Sequence, residues 1–268
     1  MTNDMFLKDK VALVTGAGSD GFGRQMAKAF ASKGADLVLN DIVEEGLEES
    51  KKIIQNEYDV EVKTINADIS DSAQMEDMVD EVFETFDNVF ILVNNAGISG
   101  NLKGSLKTKE KTFDNVMAVN VKGAWNVTKA FYRNMKRQKD FSPVRGKIIN
   151  IASCAGTENG INPFIGVYSA SKATLIAFTK LWALELGSSD ITVNAISPGV
   201  FLTPIYNNDP KLIRQFLDSR GVKLPIDRIG KSEWVADVAL FLASPSADYI
   251  TGQNIILDGG MTVSINKL

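Results

Sequence analysis

The sequence predicts an α/β protein: a doubly wound parallel sheet of about seven strands, with helices on both faces. Three observations carry that reading. Short, continuous apolar runs recur nearly from end to end, as strands buried on both faces require. Amphipathic stretches long enough for helices separate them. A glycine-rich turn follows the first run, where an open parallel sheet places a ligand crevice.

Val11-Ala-Leu-Val-Thr15 is the first strand, followed by the turn Gly16-Ala-Gly-Ser-Asp-Gly21-Phe-Gly23 and a helix from about Arg24 to Lys33. Asp36–Asp41 is the second strand and Glu44–Glu57 the second helix. Val60–Ala67, Val89–Asn94, Lys147–Ala152, Ile191–Ile196 and Asn254–Leu257 supply five further strands. Helical patterns occupy Ser72–Phe86, Thr112–Gln138, Tyr168–Leu186 and Glu233–Ala243. Nothing reads as a linker, repeat or low-complexity tract, so residues 1–268 are expected to form one domain. Phe201–Ile229 interrupts the alternation. Asn207-Asn-Asp-Pro210 would cap a short helix inside it. A long insertion after a late strand is a candidate lid.

At 268 residues, with 44% hydrophobic and 23% charged side chains, the chain can bury a substantial core without staples. A formal charge of −4 argues against a general nucleic-acid or anionic-membrane binder. One cysteine excludes an internal disulfide and fits a reducing compartment. No apolar run has the length of a membrane span and no signal-peptide pattern opens the chain, so a soluble, cytoplasmic protein is expected. Histidine is absent. That removes Ser-His-Asp and Cys-His nucleophiles. It also removes histidine-ligated zinc, and one cysteine cannot supply a thiolate cluster, so no metal site is expected. An enzyme built from this sequence must take its acid/base group from Tyr, Lys, Asp, Glu or Cys.

Tyr168-Ser-Ala-Ser-Lys172 is the most informative stretch. A phenol and an ammonium four residues apart share a helix face, where each changes the other's proton affinity. In the glycine turn, the backbone at Gly16, Gly21 and Gly23 can approach a pyrophosphate, and the helix N-terminus stabilises its charge. Ser19, Asp20 and Phe22 belong to the same turn. Asp41 ends the second strand about twenty residues on, with Ile42 behind it. A carboxylate there would bind adenosine ribose hydroxyls and repel a 2′-phosphate. No Arg or Lys follows closely and Asp20 adds negative charge, so NAD is favoured over NADP. Asp68, followed by Ile69, could meet the adenine edge or cap the helix after Ser70. Asn94-Asn95-Ala96-Gly97 closes the fourth strand. Its Asn side chains could hold strand ends together while Gly97 lets a cofactor pass; a plain turn is the alternative.

Together these residues resemble the short-chain dehydrogenase/reductase family in its single-domain branch, a Rossmann-type fold. The resemblance covers practically the whole chain. It rests on Thr15-Gly16…Gly21-x-Gly23, Asp68, Asn94-Asn-Ala-Gly97, Asn120, Ser153, Tyr168-x-x-x-Lys172, Pro198-Gly199 and Asp258-Gly-Gly260. One departure stands out: four residues, Ala17 to Asp20, separate the first two glycines where the family pattern has three. The turn is therefore expected to bulge by one residue.

The resemblance implies that Tyr168 exchanges a proton with the substrate oxygen while hydride moves to or from nicotinamide C4. It implies that Lys172 favours the Tyr168 phenolate and holds the nicotinamide ribose, and that Ser153 orients the reacting oxygen. Asn120 would hold a water that passes protons from Lys172 to solvent. The structural alternatives are a strand-end cap for Ser153 and an interhelical hydrogen bond for Asn120. Pro198, Gly199, Val200 and Thr203 resemble the segment that meets the nicotinamide carboxamide. The function so implied is NAD-dependent interconversion of a secondary alcohol and its ketone. The rivals are an NADPH-dependent 3-oxoacyl-thioester reductase and a non-catalytic dinucleotide-binding regulatory protein. Substrate walls are expected from Ile98–Leu102, Ala155–Phe164 and Phe201–Arg220. They mix apolar residues such as Ile161, Phe164, Ile205, Tyr206 and Phe216 with Asn101, Asn159 and Asn162. The family commonly forms homotetramers through two long central helices, so Thr112–Gln138 and Tyr168–Leu186 are expected to build one.

Overall fold

The computed structural model describes residues 5–263, apart from 102, 139–140, 142, 161–164, 204–208, 220–221, 223 and the side chain of 216. Its strands are β1 Val11–Thr15, β2 Asp36–Asp41, β3 Val62–Asn66, β4 Ile91–Asn94, β5 Gly146–Ile151, β6 Ile191–Pro198 and β7 Asn254–Leu257. They form one seven-stranded sheet in the order β3-β2-β1-β4-β5-β6-β7. Every pairing is parallel. The helices are α1 Phe22–Ala31, α2 Glu44–Glu57, α3 Ser72–Thr85, α4 Glu110–Met117, α5 Ala124–Arg137, α6 Gly166–Leu186, α7 Pro210–Asp218 and α8 Ser232–Ala243. Among the described residues no helix is long and apolar enough to cross a membrane.

All residues of β1, β5 and β6 are buried, as strands covered on both faces require, and the polar Lys147, Asn150 and Asn194 among them are hydrogen-bonded. Side chains alternate between two cores. Ala12 and Val14 pack with Met26 and Phe30 of α1 and Val235 and Ala239 of α8. Val11 and Leu13 face the opposite core, with Met78 and Val82 of α3, Phe131 of α5 and Leu175 of α6. Sheet order reverses between β1 and β4, so the loops leaving their C-terminal ends diverge and open a crevice.

The structure shifts several expected boundaries. Strand β3 starts at Val62, because Glu61 N is already bonded to the Asp36 carboxylate. Helix α1 begins at Phe22, with Gly21 as its extended N-cap, so Gly23 lies inside the first turn. The expected Thr112–Gln138 helix starts at Glu110 and is interrupted by a π-helical turn, Ala118–Gly123. A Cβ at Gly123 would sit 2.6 Å from Ile69 Cδ1, so this close approach of the turn requires glycine. The short helix expected within Phe201–Ile229 is α7, capped by Asp209, whose carboxylate accepts from Lys211 N at 2.8 Å.

Candidate active site

The C-terminal ends of β1 to β5 enclose a cleft of about 350 Å³. Gly16, Ser19, Gly21, Phe22, Asp41, Ile42, Asp68, Ile69, Asn95, Ala96, Gly97, Tyr168, Lys172 and Thr203 line it. One crevice thus gathers most residues singled out from the sequence. Ile98 and Ser99, from the expected wall Ile98–Leu102, also line it; Asn40, Ala67, Val119, Ile151 and Ala152 complete its walls and were not singled out as site residues. All of these five but Val119 sit at or beside a strand's C-terminal end, so the rule that places ligands there would have found them.

The glycine turn is closely determined. Gly16 has φ +69°, and a Cβ there would lie 2.8 Å from Ala96 Cα. A Cβ at Gly23 would overlap Gly16 O, so Gly23 closes the turn against itself rather than lining the cleft. Asp20 points away from the cleft and accepts from Gln25 Nε2 at 3.0 Å on the exposed side. The extra residue of the turn goes inward. Ala17 and Gly18 are buried, and Gly18 N donates to Asp41 Oδ2 at 2.9 Å. Asp41 Oδ1 accepts from Val43 N at 3.1 Å.

Asp68 does not cap α3; Asp71 does, accepting from Ala73 N at 2.9 Å. Asp68 instead accepts from Ser70 N at 2.8 Å, which orders the loop that lines the cleft. The paired asparagines tie strand ends together. Asn94 Nδ2 donates to Thr128 Oγ1 and Asn150 Oδ1, while Asn95 Nδ2 donates to Thr15 O and Gly16 O.

Tyr168 and Lys172 lie one turn apart on α6, with Lys172 Nζ 5.8 Å from the Tyr168 ring centre. Lys172 is buried and donates to Ile151 O at 2.7 Å. Burial pulls its ammonium down to about 8, because the low-dielectric surroundings disfavour the charged form. A Cβ at Gly97 would stand 3.3 Å from that ammonium, so the glycine keeps the approach to Lys172 open. Ser153 caps the short helical turn Cys154–Gly156, accepting from Ala155 N at 3.2 Å. That turn packs on α6: a Cβ at Gly156 would lie 2.6 Å from Ala173 N, so Ser153 is held beside the Tyr168–Lys172 helix. Neighbouring Cys154 is buried and its thiol is pushed up to about 12, which leaves it inert near neutrality.

Asn120 sits behind the cleft wall, in the π-helical turn. Its Oδ1 accepts from Ile98 N at 2.8 Å, and its Nδ2 donates to Ile98 O and Ser171 Oγ, both at 2.9 Å. Ser171 Oγ in turn donates to Tyr168 O at 2.7 Å. The interhelical bond is therefore present, and both N–H groups of the Asn120 amide have protein partners. A water held by this side chain is limited to the second lone pair of Oδ1. Ser171, missed in the sequence, couples Asn120 to the catalytic-type helix. Its signal was present, since it directly precedes Lys172.

Pro198, Gly199 and Val200 do not line the cleft. Pro198 pairs with Leu257, and a Cβ at Gly199 would lie 2.6 Å from Asp258 Cβ. Val200 packs into a small separate core with Ile213, Leu217 and Leu224 beneath α7. Only Thr203 of that segment reaches the cleft. Arg214 of α7 is paired with Asp227 at 2.5 Å. The expected wall residues Leu102, Ile161, Asn162, Phe164, Ile205, Tyr206 and Arg220, and the side chain of Phe216, lie outside the described residues.

A family model described as enoyl-(acyl carrier protein) reductase matches residues 16–262. A curated relative, 3-oxoacyl-[acyl-carrier-protein] reductase FabG of Thermotoga maritima, is 38% identical over 97% of this chain and 100% of its own. The crystal structure of 3-ketoacyl-(acyl-carrier-protein) reductase from Brucella melitensis, complexed with NADH, superposes with TM-score 0.84 at 34% identity, covering 96% of this chain and 99% of that one. That of L-sorbose reductase from Gluconobacter frateurii, complexed with NADPH and L-sorbose, gives TM-score 0.87 at 28% identity, covering 98% and 100%. The chain belongs to the short-chain dehydrogenase/reductase family. It is an oxidoreductase of that family, a class acting on CH–OH and keto groups.

Proposed function

We propose that this protein is an NAD(H)-dependent oxidoreductase interconverting a secondary alcohol and its ketone, with Tyr168 as the general acid/base. The observation that carries the proposal is the meeting, in one cleft, of Tyr168 and Lys172 from α6 with Asp41 from β2. The residues present suit a dinucleotide. Side-chain-free backbone at Gly16 and Gly97 leaves room for close approach, and the α1 N-terminus at Gly21–Phe22 offers N–H groups to a pyrophosphate. Asp41 would hold the adenosine ribose and repel a 2′-phosphate. Asp68 and Ile69 would flank the adenine. Thr203 would meet the carboxamide end, with Pro198, Gly199 and Val200 setting its position from behind.

Tyr168 passes its phenolic proton to a ketone oxygen, or takes the proton of an alcohol. A free phenol has a pKa near ~10, too high for a base at neutrality. The Lys172 ammonium beside the ring favours the phenolate over the phenol. When bound, NAD supplies the hydride acceptor at C4 and, in its oxidised form, a positive charge that adds to this field. Lys172 has N–H groups beyond the one given to Ile151 O, suited to ribose hydroxyls. Ser153 donates its hydroxyl proton to the reacting oxygen and orients it toward Tyr168. Asn120 fixes the Ile98 loop against α6 through Ser171.

The second reading is an NADPH-dependent 3-oxoacyl-thioester reductase. The identity to the Thermotoga enzyme favours it; Asp41 at the ribose end opposes it. We further propose a single domain with a lid over residues 201–229. We also propose a homotetramer formed through α4–α5 and α6, whose outer faces expose Phe113, Trp125, Leu181 and Leu184.

The test is absorbance at the reduced-nicotinamide band, with NAD and separately NADP. The panel holds steroids, polyols, cyclic alcohols and hydroxyacyl thioesters. An NAD-preferring signal on one class supports the proposal. An NADP-preferring signal on hydroxyacyl thioesters selects the second reading. Silence with dinucleotide binding intact leaves a substrate outside the panel or a non-catalytic binder.

A further inference from the structure

The one-residue extension of the glycine turn does not protrude into solvent or toward the cleft. It is packed between the end of β2 and the start of α2. Ala17 N donates to Asn40 O at 3.1 Å, and Ala17 O accepts from Ser50 Oγ at 2.6 Å. A Cβ at Gly46 would overlap Gly18 O, so α2 presses directly on the extension. Ser50 is buried and is held in turn by Arg24 Nε at 2.8 Å. The end product of this packing is the Gly18 amide, aimed at Asp41 Oδ2 at 2.9 Å.

We propose that Gly18 is a specificity-positioning residue, whose amide sets the Asp41 carboxylate in the orientation that accepts ribose hydroxyls and excludes a 2′-phosphate. With Gly18 N on Oδ2 and Val43 N on Oδ1, both oxygens are tied and the carboxylate plane cannot rotate freely. Each oxygen keeps lone-pair capacity for one hydroxyl of a vicinal diol. Only glycine serves at position 18. A Cβ there would lie 2.9 Å from Asp41 Cγ and 3.0 Å from Oδ2, and the mobile partner that must yield is the carboxylate itself. Gly18→Ala therefore displaces Asp41 while keeping its charge. The inference rests on the cofactor reading above, that Asp41 faces the adenosine ribose.

The experiment measures dissociation constants for NADH and NADPH by nucleotide fluorescence, without substrate, in wild type, Gly18→Ala and Asp41→Ser. A merely structural defect weakens both nucleotides alike and leaves their ratio unmoved. We expect Gly18→Ala to lower the NADH-over-NADPH preference at least tenfold, mostly through weaker NADH binding. Asp41→Ser should lower it further by also strengthening NADPH. An unchanged ratio in Gly18→Ala, with a lowered ratio in Asp41→Ser, overturns the role of Gly18 and leaves the cofactor reading standing. An unchanged ratio in Asp41→Ser overturns the cofactor reading itself. Should Gly18→Ala fail to fold, Ser50→Ala releases the extension from α2. A fall of about threefold in the ratio then supports the proposal, and no change overturns it.

Discussion

Lys172 is buried at the expense of stability, and replacing it by methionine should expose that cost. Burial lowers its pKa from 10.5 to about 8, a gap worth about 3 kcal/mol. Below about pH 8 the folded and unfolded chains both hold the proton, and the fold carries the full cost of a buried charge. Between about 8 and 10.5 the folded protein releases the proton first while the unfolded chain keeps it, so wild-type stability rises with pH. Across a practical window from pH ~7 to ~9.5, that rise amounts to about 2 kcal/mol. Lys172→Met has no proton to release and lacks this rise. It also leaves Ile151 O without the ammonium now 2.7 Å away, at a cost of about 1–3 kcal/mol that does not vary with pH. The two proteins should therefore be comparably stable near neutrality, with wild type ahead by about 2 kcal/mol more at the alkaline end. Urea unfolding of both at the two pH values measures this. The other titrating groups are common to the pair, so their difference reports Lys172 together with Tyr168, whose phenol it polarises. Parallel pH dependences would refute the reasoning and mean that Lys172 is solvated like a surface lysine.

Tyr168→Phe removes the phenol proposed to carry the proton; turnover should fall by at least ~10³-fold, with NADH affinity by fluorescence within about threefold of wild type. Asn120→Ala removes three hydrogen bonds at ordinary net values of about 1 kcal/mol each. Unfolding should register a loss of about 2–4 kcal/mol, and kcat should fall because the Ile98 loop and Tyr168 O lose their shared tether. Lys147→Met acts at the other end of the sheet, where buried Lys147 contacts Asp248 at 2.6 Å and Ser244 O at 2.9 Å. Stranding those acceptors should cost about 3 kcal/mol, seen as a drop in Tm of roughly 5–10 °C, with KM for dinucleotide unchanged.

The sequence reading and the structure agree best where chemistry and geometry are both local. Tyr168 and Lys172 meet because an α-helix brings position i+4 over position i, whatever surrounds it. The cofactor-side residues meet because buried parallel strands end on one edge, and the apolar runs mark those ends within a residue or two. Agreement fails where position depends on a distant partner. The packing of Gly199 against Asp258, far along the chain, is of this kind. The π-helical turn at Ala118–Gly123 has no local signature, since it follows from Ile69 packing on Gly123 and Ile98 bonding to Asn120. The cap at Asp209, by contrast, is legible, since Pro210 is favoured at the first helical position and puts the preceding residue at the cap.

Asn94 and Asn95 show how the same residue type acquires two roles from one strand. They are adjacent and chemically identical, and β4 points successive side chains to opposite faces. Asn94 turns into the core, joining β4 to Thr128 of α5 and Asn150 of β5. Asn150 passes the connection on to Thr179 of α6, the helix that carries Tyr168 and Lys172. Asn95 turns to β1 and grips Thr15 O and Gly16 O, where the glycine turn begins. One dipeptide thus braces the glycine-turn half of the cleft through Asn95 and the Tyr168–Lys172 half through Asn94. That is why its place is the sheet's reversal point between β1 and β4, where the two halves must be held in register although their loops diverge.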